Sequence, residues 1–533
     1  MLGEIQSMRG IHLLASLAGS RLVRQVADTL MVRHAHYRTR QLDTLSIAQV
    51  QQKTLLSLIR RAAGTRFGQD HDFSRILSVA DYQARVPLRY YEDFWTQYWK
   101  DTYPRLRGTT WPEDIPYYAL SSGTTTGATK YIPVTWEMVR SNKKAAFTTT
   151  ALFRHGHPSA RLLTGKFFFV GGSTELRPQA DGSRAGDLSG IAAREFPDIL
   201  RPYTFPPPEL ALLANWEEKI QRLAERSVSE PITAISGIPA WLLVLFGKLK
   251  AISGKATIAE IWPDLRLVVH GGTAFDPYRD IFRREIGSDR VHFCEVYPSS
   301  EGFVATEDPR YHLLRVIPDH GIFFEFVPVE ELEKKERPSR HVLAQVETGV
   351  NYAVVLTTCA GLWAYVLGDT VTFERRSPPL LRFTGRTKYF LSAFGEHLIS
   401  EEVEKAVASA AQSCGVHVVD FHVGPVFPDQ PHLPGHHLYL VECADRLPDP
   451  QQFAQAIDAA LMVLNEDYAP HRQGDLAMRM PEVQLVRRGG FAEWMKARGK
   501  YGGQHKVPRM DNSGRLTREM LDWFRSHGWL ASG

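Results

Sequence analysis

Between about residues 160 and 300, short apolar stretches alternate with helical segments, and each stretch ends in a turn rich in Gly, Ser or Thr. The apolar stretches cover residues 162–172, 232–237, 265–269 and 291–296. Helices are predicted between them, for instance over 241–249 after the helix-starting Pro239. This alternation predicts an α/β fold, in which ligands bind at the carboxyl ends of the strands.

The pattern changes after residue 312, where closely spaced strands follow one another. They are predicted over residues 312–317, 321–328, 351–358 and 369–373. Strands so close in sequence are typical of antiparallel pairing, and we expect them to form a β-barrel-like subdomain. Beyond residue 392, helices and strands are mixed again, which predicts a smaller α+β domain.

Composition excludes several classes of protein. The net charge is only +4, and the sequence has no basic run or stripe, so no nucleic-acid partner is expected. The four cysteines are scattered without a C-x-x-C pair, which argues against a zinc site or a disulfide framework and fits a cytoplasmic location. No apolar run reaches the roughly 18 residues that a membrane-spanning helix needs.

Residues 121–130 contain six hydroxyl side chains, two glycines and one lysine. A turn of this composition directs backbone N–H groups, hydroxyls and a cation at one point, which suits a polyphosphate. The alternative is a Ser/Thr-rich hairpin turn. The spacing differs from a Walker loop, because the glycines are four residues apart and Lys130 lies three beyond Gly127.

Two further polar stretches follow predicted strands. Tyr297 to Glu301 offers an aromatic ring, two hydroxyls and a carboxylate, and a single carboxylate together with substrate phosphates is a common way to hold Mg²⁺. Asp369 follows Gly368 at the expected start of a strand, where a carboxylate is able to accept both hydroxyls of a ribose. The alternatives are a solvated loop glutamate and an ordinary turn aspartate.

A third stretch, residues 504–509, lies near the C-terminus after the glycine-bearing segment 499–503. A lysine on such a segment, here Lys506, is able to reach a phosphate site as a point charge. The alternative is a basic surface tail.

The order of these pieces resembles the adenylate-forming ligase superfamily, and within it the auxin-responsive (Gretchen Hagen type) acyl-acid amido synthetase family. Residues 121–130 resemble its first nucleotide motif, residues 297–301 its second and residues 361–369 its third. The resemblance extends over nearly the whole chain from about residue 45. It departs from the family where Thr125 replaces a common Ser, and where Ala364 and Val366 replace arginines beside Tyr365.

The resemblance implies ATP and Mg²⁺ as cofactors and assigns residues to them. Lys506 and Glu301 are the expected catalytic residues, and Glu301 is the expected magnesium ligand. Tyr297 is expected to stack on adenine, Ser300 to meet the α-phosphate and Asp369 to hold the ribose. The remaining expected nucleotide-binding residues are Ser121, Ser122, Gly123, Thr124, Thr125, Thr126, Gly127, Lys130, Gly272, Thr273 and Arg386.

The same resemblance implies an adenylate-forming ligase fold with a large N-terminal ATP- and acyl-binding domain over residues 1–385. A hinge over 386–391 and a small mobile α+β C-terminal domain over 392–533 complete it. The expected function is ATP-dependent joining of a small carboxylic acid to an amino acid. Two alternatives stay open, an acyl-CoA ligase that shares the adenylation step and an inactive nucleotide-binding or scaffold protein.

Overall fold

The computed structural model describes most of the chain. The described ranges are residues 20–121, 129–171, 176–213, 216–272, 275, 278–332, 336–387, 390–428, 433–444, 446–475, 477–498 and 507–531. The predicted site residues Ser122, Gly123, Thr124, Thr125, Thr126, Gly127, Thr273 and Lys506 lie outside these ranges.

The helices within the described ranges are α1 (Arg21–Thr44), α2 (Ile47–Ala62), α3 (Arg66–Asp70), α4 (Val79–Arg85), α5 (Tyr91–Phe94), α6 (Trp136–Gly156), α7 (Leu188–Arg194), α8 (Pro208–Ala211), α9 (Trp216–Ser227), α10 (Pro239–Ser253), α11 (Ile258–Ile261), α12 (Arg279–Ile286), α13 (Val329–Leu332), α14 (Ser400–Cys414), α15 (Pro450–Leu464), α16 (Tyr468–Arg472), α17 (Gly490–Ala497) and α18 (Arg515–Ser526). A π-helical turn over Trp95–Trp99 follows α5.

The strands within the same ranges are β1 (Tyr117–Ser121), β2 (Lys130–Val134), β3 (Lys166–Phe169), β4 (Arg177–Pro178), β5 (Arg184–Gly186), β6 (Thr204–Phe205), β7 (Ile232–Ser236), β8 (Leu267–Gly271), β9 (His292–Pro298), β10 (Phe303–Asp308), β11 (Leu313–Val316), β12 (Ile322–Pro328), β13 (His341–Val342), β14 (Asn351–Thr358), β15 (Tyr365–Arg375), β16 (Leu380–Arg386), β17 (Phe390–Leu391), β18 (Leu398–Ile399), β19 (Val418–Val426), β20 (His436–Cys443) and β21 (Glu482–Val486).

A 12-stranded sheet dominates the molecule, in the order β13-β12-β14-β15-β16-β11-β10-β9-β8-β7-β3-β6. Strands β6, β3, β7, β8 and β9 pair in parallel, whereas all pairs from β9–β10 to β12–β13 are antiparallel. The strands expected to form a barrel-like subdomain are thus hydrogen-bonded as the antiparallel half of this sheet. The α/β fold class predicted from the sequence is confirmed.

Local sequence signals explain the long helices that cover the sheet. Pro239 occupies the first turn of α10, and Gly254 ends it with φ of 68°, a left-handed conformation that glycine adopts without steric cost. Thr135 caps α6 by accepting a hydrogen bond from the Met138 N–H. Within the described residues, no helix is both long and apolar enough to cross a membrane.

Two smaller assemblies complete the structure. Strands β2, β1, β5 and β4 form a second sheet, with β1 antiparallel to β2 and parallel to β5. Strands β19, β20 and β21 form a three-stranded sheet that packs with α15 and α18. We call residues 400–531, as far as they are described, the C-terminal unit. The short β17–β18 pair connects it to the large sheet.

Candidate functional site

The described site residues come together where the parallel half of the large sheet meets its antiparallel half. Tyr297 lies on β9, Ser300 and Glu301 lie in the β9–β10 turn, and Asp369 and Arg386 lie on β15 and β16. The turn is fixed by Ser299, whose Oγ donates to the Gly302 carbonyl at 2.8 Å and accepts from the Gly302 N–H at 3.1 Å.

Asp369 is the centre of a buried hydrogen-bonded cluster. The Tyr297 hydroxyl donates to its Oδ2 at 2.7 Å, and Arg386 Nε donates to its Oδ1 at 2.7 Å. Asp369 and Arg386 are register partners on β15 and β16, so the ion pair follows from strand pairing. The structure corrects one detail of the prediction, because Asp369 lies inside β15 and not at its start. Three predicted site residues are therefore held together.

Burial and charge determine the protonation states in this cluster. Burial, reinforced by the Asp369 carboxylate, raises the pKa of Tyr297 well above its usual value, so the hydroxyl stays a donor. Burial lowers the pKa of Arg386, but Asp369 opposes it strongly enough that the pKa is raised overall. The Tyr297 ring also packs edge-on against Phe383, with centroids 5.6 Å apart. Its stacking on adenine stays a prediction.

Glu301 belongs to a second cluster. The Tyr365 hydroxyl donates to Glu301 Oε1 at 2.8 Å, and Lys130 Nζ lies 3.5 Å from the same hydroxyl. Glu301 is only 6% exposed. Its Oε2 accepts no hydrogen bond from any residue in the described ranges, so one carboxylate oxygen is left for a cation. A single carboxylate with substrate phosphates matches the chemistry of Mg²⁺.

Lys130 links the two clusters electrostatically. Burial lowers the pKa of its ammonium. The carboxylates of Glu301, Glu92 and Asp369 oppose that shift, and the Arg386 guanidinium adds to it. Three carboxylates, those of Glu301, Glu92 and Asp369, act on Lys130, and Arg386 is the second cation. The described site has no excess of positive charge, so a triphosphate needs neutralisation from additional cations such as a divalent metal.

Tyr365 was part of the third motif, but sequence reasoning gave it no role. Its spacing from Asp369 was a usable signal. Residues four apart on a strand lie on the same face, so the spacing indicates that Tyr365 shares a face of the sheet with Asp369. Its neighbours Ala364 and Val366 belong to the apolar core and are 0% and 2% exposed. Their backbones bond to Arg89, whose N–H donates to the Ala364 carbonyl and whose carbonyl accepts from the Val366 N–H.

Gly272 directly follows β8 and has φ of 82°, a conformation that residues with side chains rarely adopt. A Cβ on the preceding Gly271 would lie 2.4 Å from the Val296 carbonyl oxygen, so β8 and β9 approach closely only with glycine there. Sequence reasoning assigned no role to Gly271. Across the described residues, no group of three or more His, Cys, Asp or Glu side chains is placed to hold a metal ion.

Sequence models of one family match most of the chain. The model of the GH3 family N-terminal domain matches residues 39–195 and 159–291, that of the GH3 family central domain matches residues 315–386, and that of the GH3 family C-terminal domain matches residues 401–515.

Two full-length relatives are similar to the chain over most of their own length. Indole-3-acetic acid-amido synthetase GH3.4 from Arabidopsis thaliana is 24% identical over 546 residues, which cover 86% of this chain and 88% of the relative. Jasmonoyl–L-amino acid synthetase JAR4 from Nicotiana attenuata is 23% identical over 546 residues, which cover 87% and 91%.

Solved structures share the fold. The AtGH3.15 acyl acid amido synthetase superimposes with a TM-score of 0.58 at 18% identity, covering 93% of this chain and 96% of that one. A 2-hydroxyisobutyryl-CoA ligase superimposes with a TM-score of 0.55 at 14% identity, covering 91% and 94%. The adenylate-forming ligase fold predicted from the sequence is confirmed.

Proposed function

Because the chain belongs to the GH3 family, as the sequence motifs predicted, we propose that it is an ATP-dependent acyl-acid amido synthetase. The enzyme joins a small carboxylic acid to the amine of an amino acid. In the first half-reaction the acid's carboxylate attacks the α-phosphate of ATP, giving an acyl-adenylate and pyrophosphate. In the second, the amine attacks the activated carbonyl and AMP leaves. Relatives are named for indole-3-acetic acid and jasmonate as the acids.

The observation that carries the proposal is the pair of joined clusters around Asp369 and Glu301. A carboxylate that sits next to a glycine, between a tyrosine and an arginine, suits the two hydroxyls of a ribose. A second buried carboxylate with one free oxygen suits the metal that accompanies ATP. Lys130, next to the Tyr365 hydroxyl, is the register partner of Ser121, where the stretch rich in hydroxyls and glycines begins.

Each residue of the site has a task in the first half-reaction, which brings several anions together. Residues 121–130 surround the β- and γ-phosphates with N–H groups, hydroxyls and the Lys130 ammonium. Asp369 and Arg386 orient the ribose, Tyr297 and Gly272 line the base pocket, and Ser300 contacts the α-phosphate. Glu301 would hold Mg²⁺, which supplies charge neutralisation at the phosphates. Such preorganised electrostatics are commonly the largest catalytic contribution, and removing one donor costs about two to three powers of ten in rate.

The proposal includes a change of domain arrangement between the half-reactions. Residues 1–385 form the large domain, residues 386–391 the hinge and residues 392–533 the small domain, whose Lys506 enters the site for adenylation only. Strand β17 lies at the end of this proposed hinge and pairs with the equally short β18, apart from the large sheet and the three-stranded sheet. Small connecting segments of this kind absorb the backbone changes of domain movement.

ATP–pyrophosphate exchange over a panel of aryl and alkyl carboxylic acids tests the first half-reaction. We expect at least one acid to support exchange above background. If no acid supports exchange, the proposal that this protein is an adenylate-forming enzyme is wrong. Asp369→Asn is expected to lower exchange by about two powers of ten, as for loss of one preorganised group. The matched control Asp198→Asn changes an exposed aspartate and is expected to have no effect.

The acceptor is identified in a second experiment with the acid that supports exchange. Mass detection of products from twenty amino acids and from coenzyme A separates an amido synthetase from an acyl-CoA ligase. An amide product supports the proposal, and a thioester alone contradicts it. Lys506→Ala is expected to lower exchange strongly, whereas Lys496→Ala, which removes the exposed partner of Glu493, is expected to leave it unchanged.

A further inference from the structure

Tyr91, the first residue of α5, contacts the beginning of β2, and the chemistry described above gives it no role. Its ring lies over the ammonium of Lys130, with Nζ 5.7 Å from the ring centroid. Its hydroxyl oxygen accepts a hydrogen bond from the backbone N–H of Tyr131 at 2.9 Å. Tyr91 therefore contacts two consecutive residues of β2, the charged side chain of the first and the backbone of the second.

The surroundings of Tyr91 hold its ring in place. The side chain is only 5% exposed. Its ring stacks on Trp95 with centroids 6.0 Å apart and meets Trp99 edge-on with centroids 5.8 Å apart. Both tryptophans belong to the π-helical turn that follows α5, and such turns occur frequently at functional sites. A ring fixed in this way is able to fix a flexible side chain that packs on it.

The Lys130 ammonium has few other contacts. In the part of the chain that the structure describes, it forms no ion pair, and its hydrogen-bond contact is the Tyr365 hydroxyl at 3.5 Å. An ammonium has three N–H donors, so two of them meet no acceptor among the described residues. The lysine stem is flexible, and an ammonium without a fixed partner takes up many positions.

An aromatic ring suits the task of holding this ammonium better than a carboxylate does. A cation is attracted to the face of an aromatic ring when it lies within about 6 Å of the centroid. This attraction occupies no N–H donor and leaves the positive charge in place, whereas a close ion pair would neutralise the charge that a phosphate requires. Burial raises the pKa of the Tyr91 hydroxyl, so the ring stays a neutral phenol.

Resting on the proposed function, we propose that Tyr91 is a positioning residue that holds the Lys130 ammonium ready for the β- and γ-phosphates of ATP. Pairing of β1 with β2 fixes the backbone, because Ser121 and Lys130 are register partners. The Tyr91 hydroxyl fixes the backbone one residue further along β2, and the Tyr91 ring fixes the ammonium. Such preorganisation removes part of the entropic cost of ordering a long side chain when the triphosphate binds.

This role concerns the terminal phosphates and not the rest of the nucleotide. Lys130 is expected at the β- and γ-phosphates, whereas the base and the ribose are expected at other residues. Loss of the Tyr91 ring should therefore weaken the binding of ATP and leave the binding of AMP, which lacks these two phosphates, unchanged. A purely structural role of Tyr91 in the core would weaken the binding of both nucleotides alike.

The test measures the binding of ATP and of AMP to the full-length protein by calorimetry in the presence of Mg²⁺. Tyr91→Leu removes the ring and is expected to raise the Kd for ATP about 5–30-fold, the change that a cation–π contact of about 1–2 kcal/mol gives. The Kd for AMP is expected to stay unchanged. Tyr91→Phe keeps the ring and should bind ATP nearly as tightly as the wild type, but it should melt at a lower temperature because the Tyr131 N–H loses its acceptor.

Two comparisons separate the contact with Lys130 from general damage to the core. Tyr98→Leu is the matched control, because Tyr98 is 6% exposed in the same core and packs on Arg66 and Arg89. It should lower the melting temperature without changing the ratio of the two Kd values. In a double-mutant cycle with Lys130→Met, Tyr91→Leu should cause little further loss of ATP affinity, because its effect acts through the ammonium.

A further series keeps the shape of the ring, so it remains informative if Tyr91→Leu does not fold. Increasingly fluorinated phenylalanines at position 91 withdraw electron density from the negative face of the ring. The Kd for ATP is expected to rise with each added fluorine, and the Kd for AMP is expected to stay constant. A Kd for ATP that does not depend on fluorination would contradict the cation–π contact.

Several other results would overturn the inference. An unchanged Kd for ATP in Tyr91→Leu rejects it, and so does an equal loss of ATP and AMP binding. Additive effects of Tyr91→Leu and Lys130→Met would show that the two residues act independently. If the wild-type protein binds neither nucleotide and no acid supports exchange, the proposed function itself is wrong, which distinguishes the two failures.

Discussion

Glu396 and His437 form a buried hydrogen-bonded pair at the connection to the C-terminal unit, and its loss should lower the free energy of unfolding. His437 Nε2 donates to Glu396 Oε1 at 2.7 Å, and both side chains are 0% exposed. The same carboxylate accepts from the backbone N–H groups of Ala393 and Phe394, at 3.0 and 2.8 Å. Glu396→Gln keeps the shape but replaces one acceptor oxygen by an NH₂ group. The NH₂ group of the glutamine then faces an N–H group whose hydrogen bond the carboxylate had accepted.

Two independent arguments give a similar free-energy cost for losing this pair. Burial alone would raise the pKa of Glu396, but His437 and the backbone donors outweigh it and lower the pKa from 4.5 to about 2. At 1.36 kcal/mol for each pH unit, that corresponds to about 3 kcal/mol of stability. Breaking one partner of a buried pair typically costs about 3–5 kcal/mol. Because the folded-state pKa is depressed, the stabilisation is complete above about pH 4.5 and is lost as pH falls towards 2.

Thermal unfolding and amide hydrogen exchange measure the effect. About 3 kcal/mol should lower the melting temperature at pH 7 by about 6–12 °C, and exchange at Ala393 and Phe394 should rise. The control is Glu482→Gln, which removes the partner of His436 at 3.1 Å. Glu482 is 49% exposed, so solvent screening should limit its effect to under about 1 kcal/mol. Equal effects of the two variants, or a loss below about 1 kcal/mol for Glu396→Gln, would refute the reasoning.

Three further outcomes follow from the site. Tyr365→Phe removes the hydroxyl that donates to Glu301. Because a hydrogen bond to a charged group contributes about 1.5–3 kcal/mol, the variant should show about 10–100-fold slower exchange and need a higher magnesium concentration. An unchanged magnesium dependence would contradict this. Val366→Arg should lower the melting temperature, because the Val366 side chain is only 2% exposed and lies in an apolar core. A variant as stable as the wild type would disprove that placement. Gly272→Ala, at φ of 82° with open space for a Cβ, should lower the free energy of unfolding by only about 1–2 kcal/mol. A complete failure to fold would indicate a clash that the structure does not contain.

The elements and strand-end residues were predictable because they depend on local patterns. The α10 helix with Pro239 and Gly254, and the polar turn after β9, follow from signals within a few residues. The α/β class, the family and the ligase fold were predicted from such signals in combination. Roles assigned to Ser300, Lys130 and the other nucleotide-binding residues stay predictions.

Contacts that depend on long-range strand pairing were not predictable. The hydrogen bond from Tyr365 to Glu301 joins residues 64 positions apart, and the register that places Arg386 opposite Asp369 includes a shift within the same strand pair. A period-2 pattern fixes which face a residue occupies but not which strand is its neighbour.

The site and the proposed movement place opposite demands on the fold, because the first needs rigidity and the second needs contacts that can break. Asp369, Arg386 and Tyr297 are joined within one continuous sheet, which resists rearrangement. The C-terminal unit packs against the rest of the molecule through an apolar cluster that both share, and also through directional contacts that are individually weak. The Tyr278 hydroxyl donates to the Ala393 carbonyl at 3.1 Å, and Trp241 stacks on His471.

A neutral hydrogen bond contributes about 0.5–1.5 kcal/mol net and an aromatic pair a similar amount beyond its burial. The Glu396–His437 pair holds the turn to the C-terminal unit with about 3 kcal/mol. If the unit moves as proposed, the contacts of Tyr278 and Trp241 have to break, and the turn around Glu396 is expected to travel with the C-terminal unit. Arg386 is anchored in the sheet as the last residue of β16, and the hinge expected over 386–391 stays a prediction.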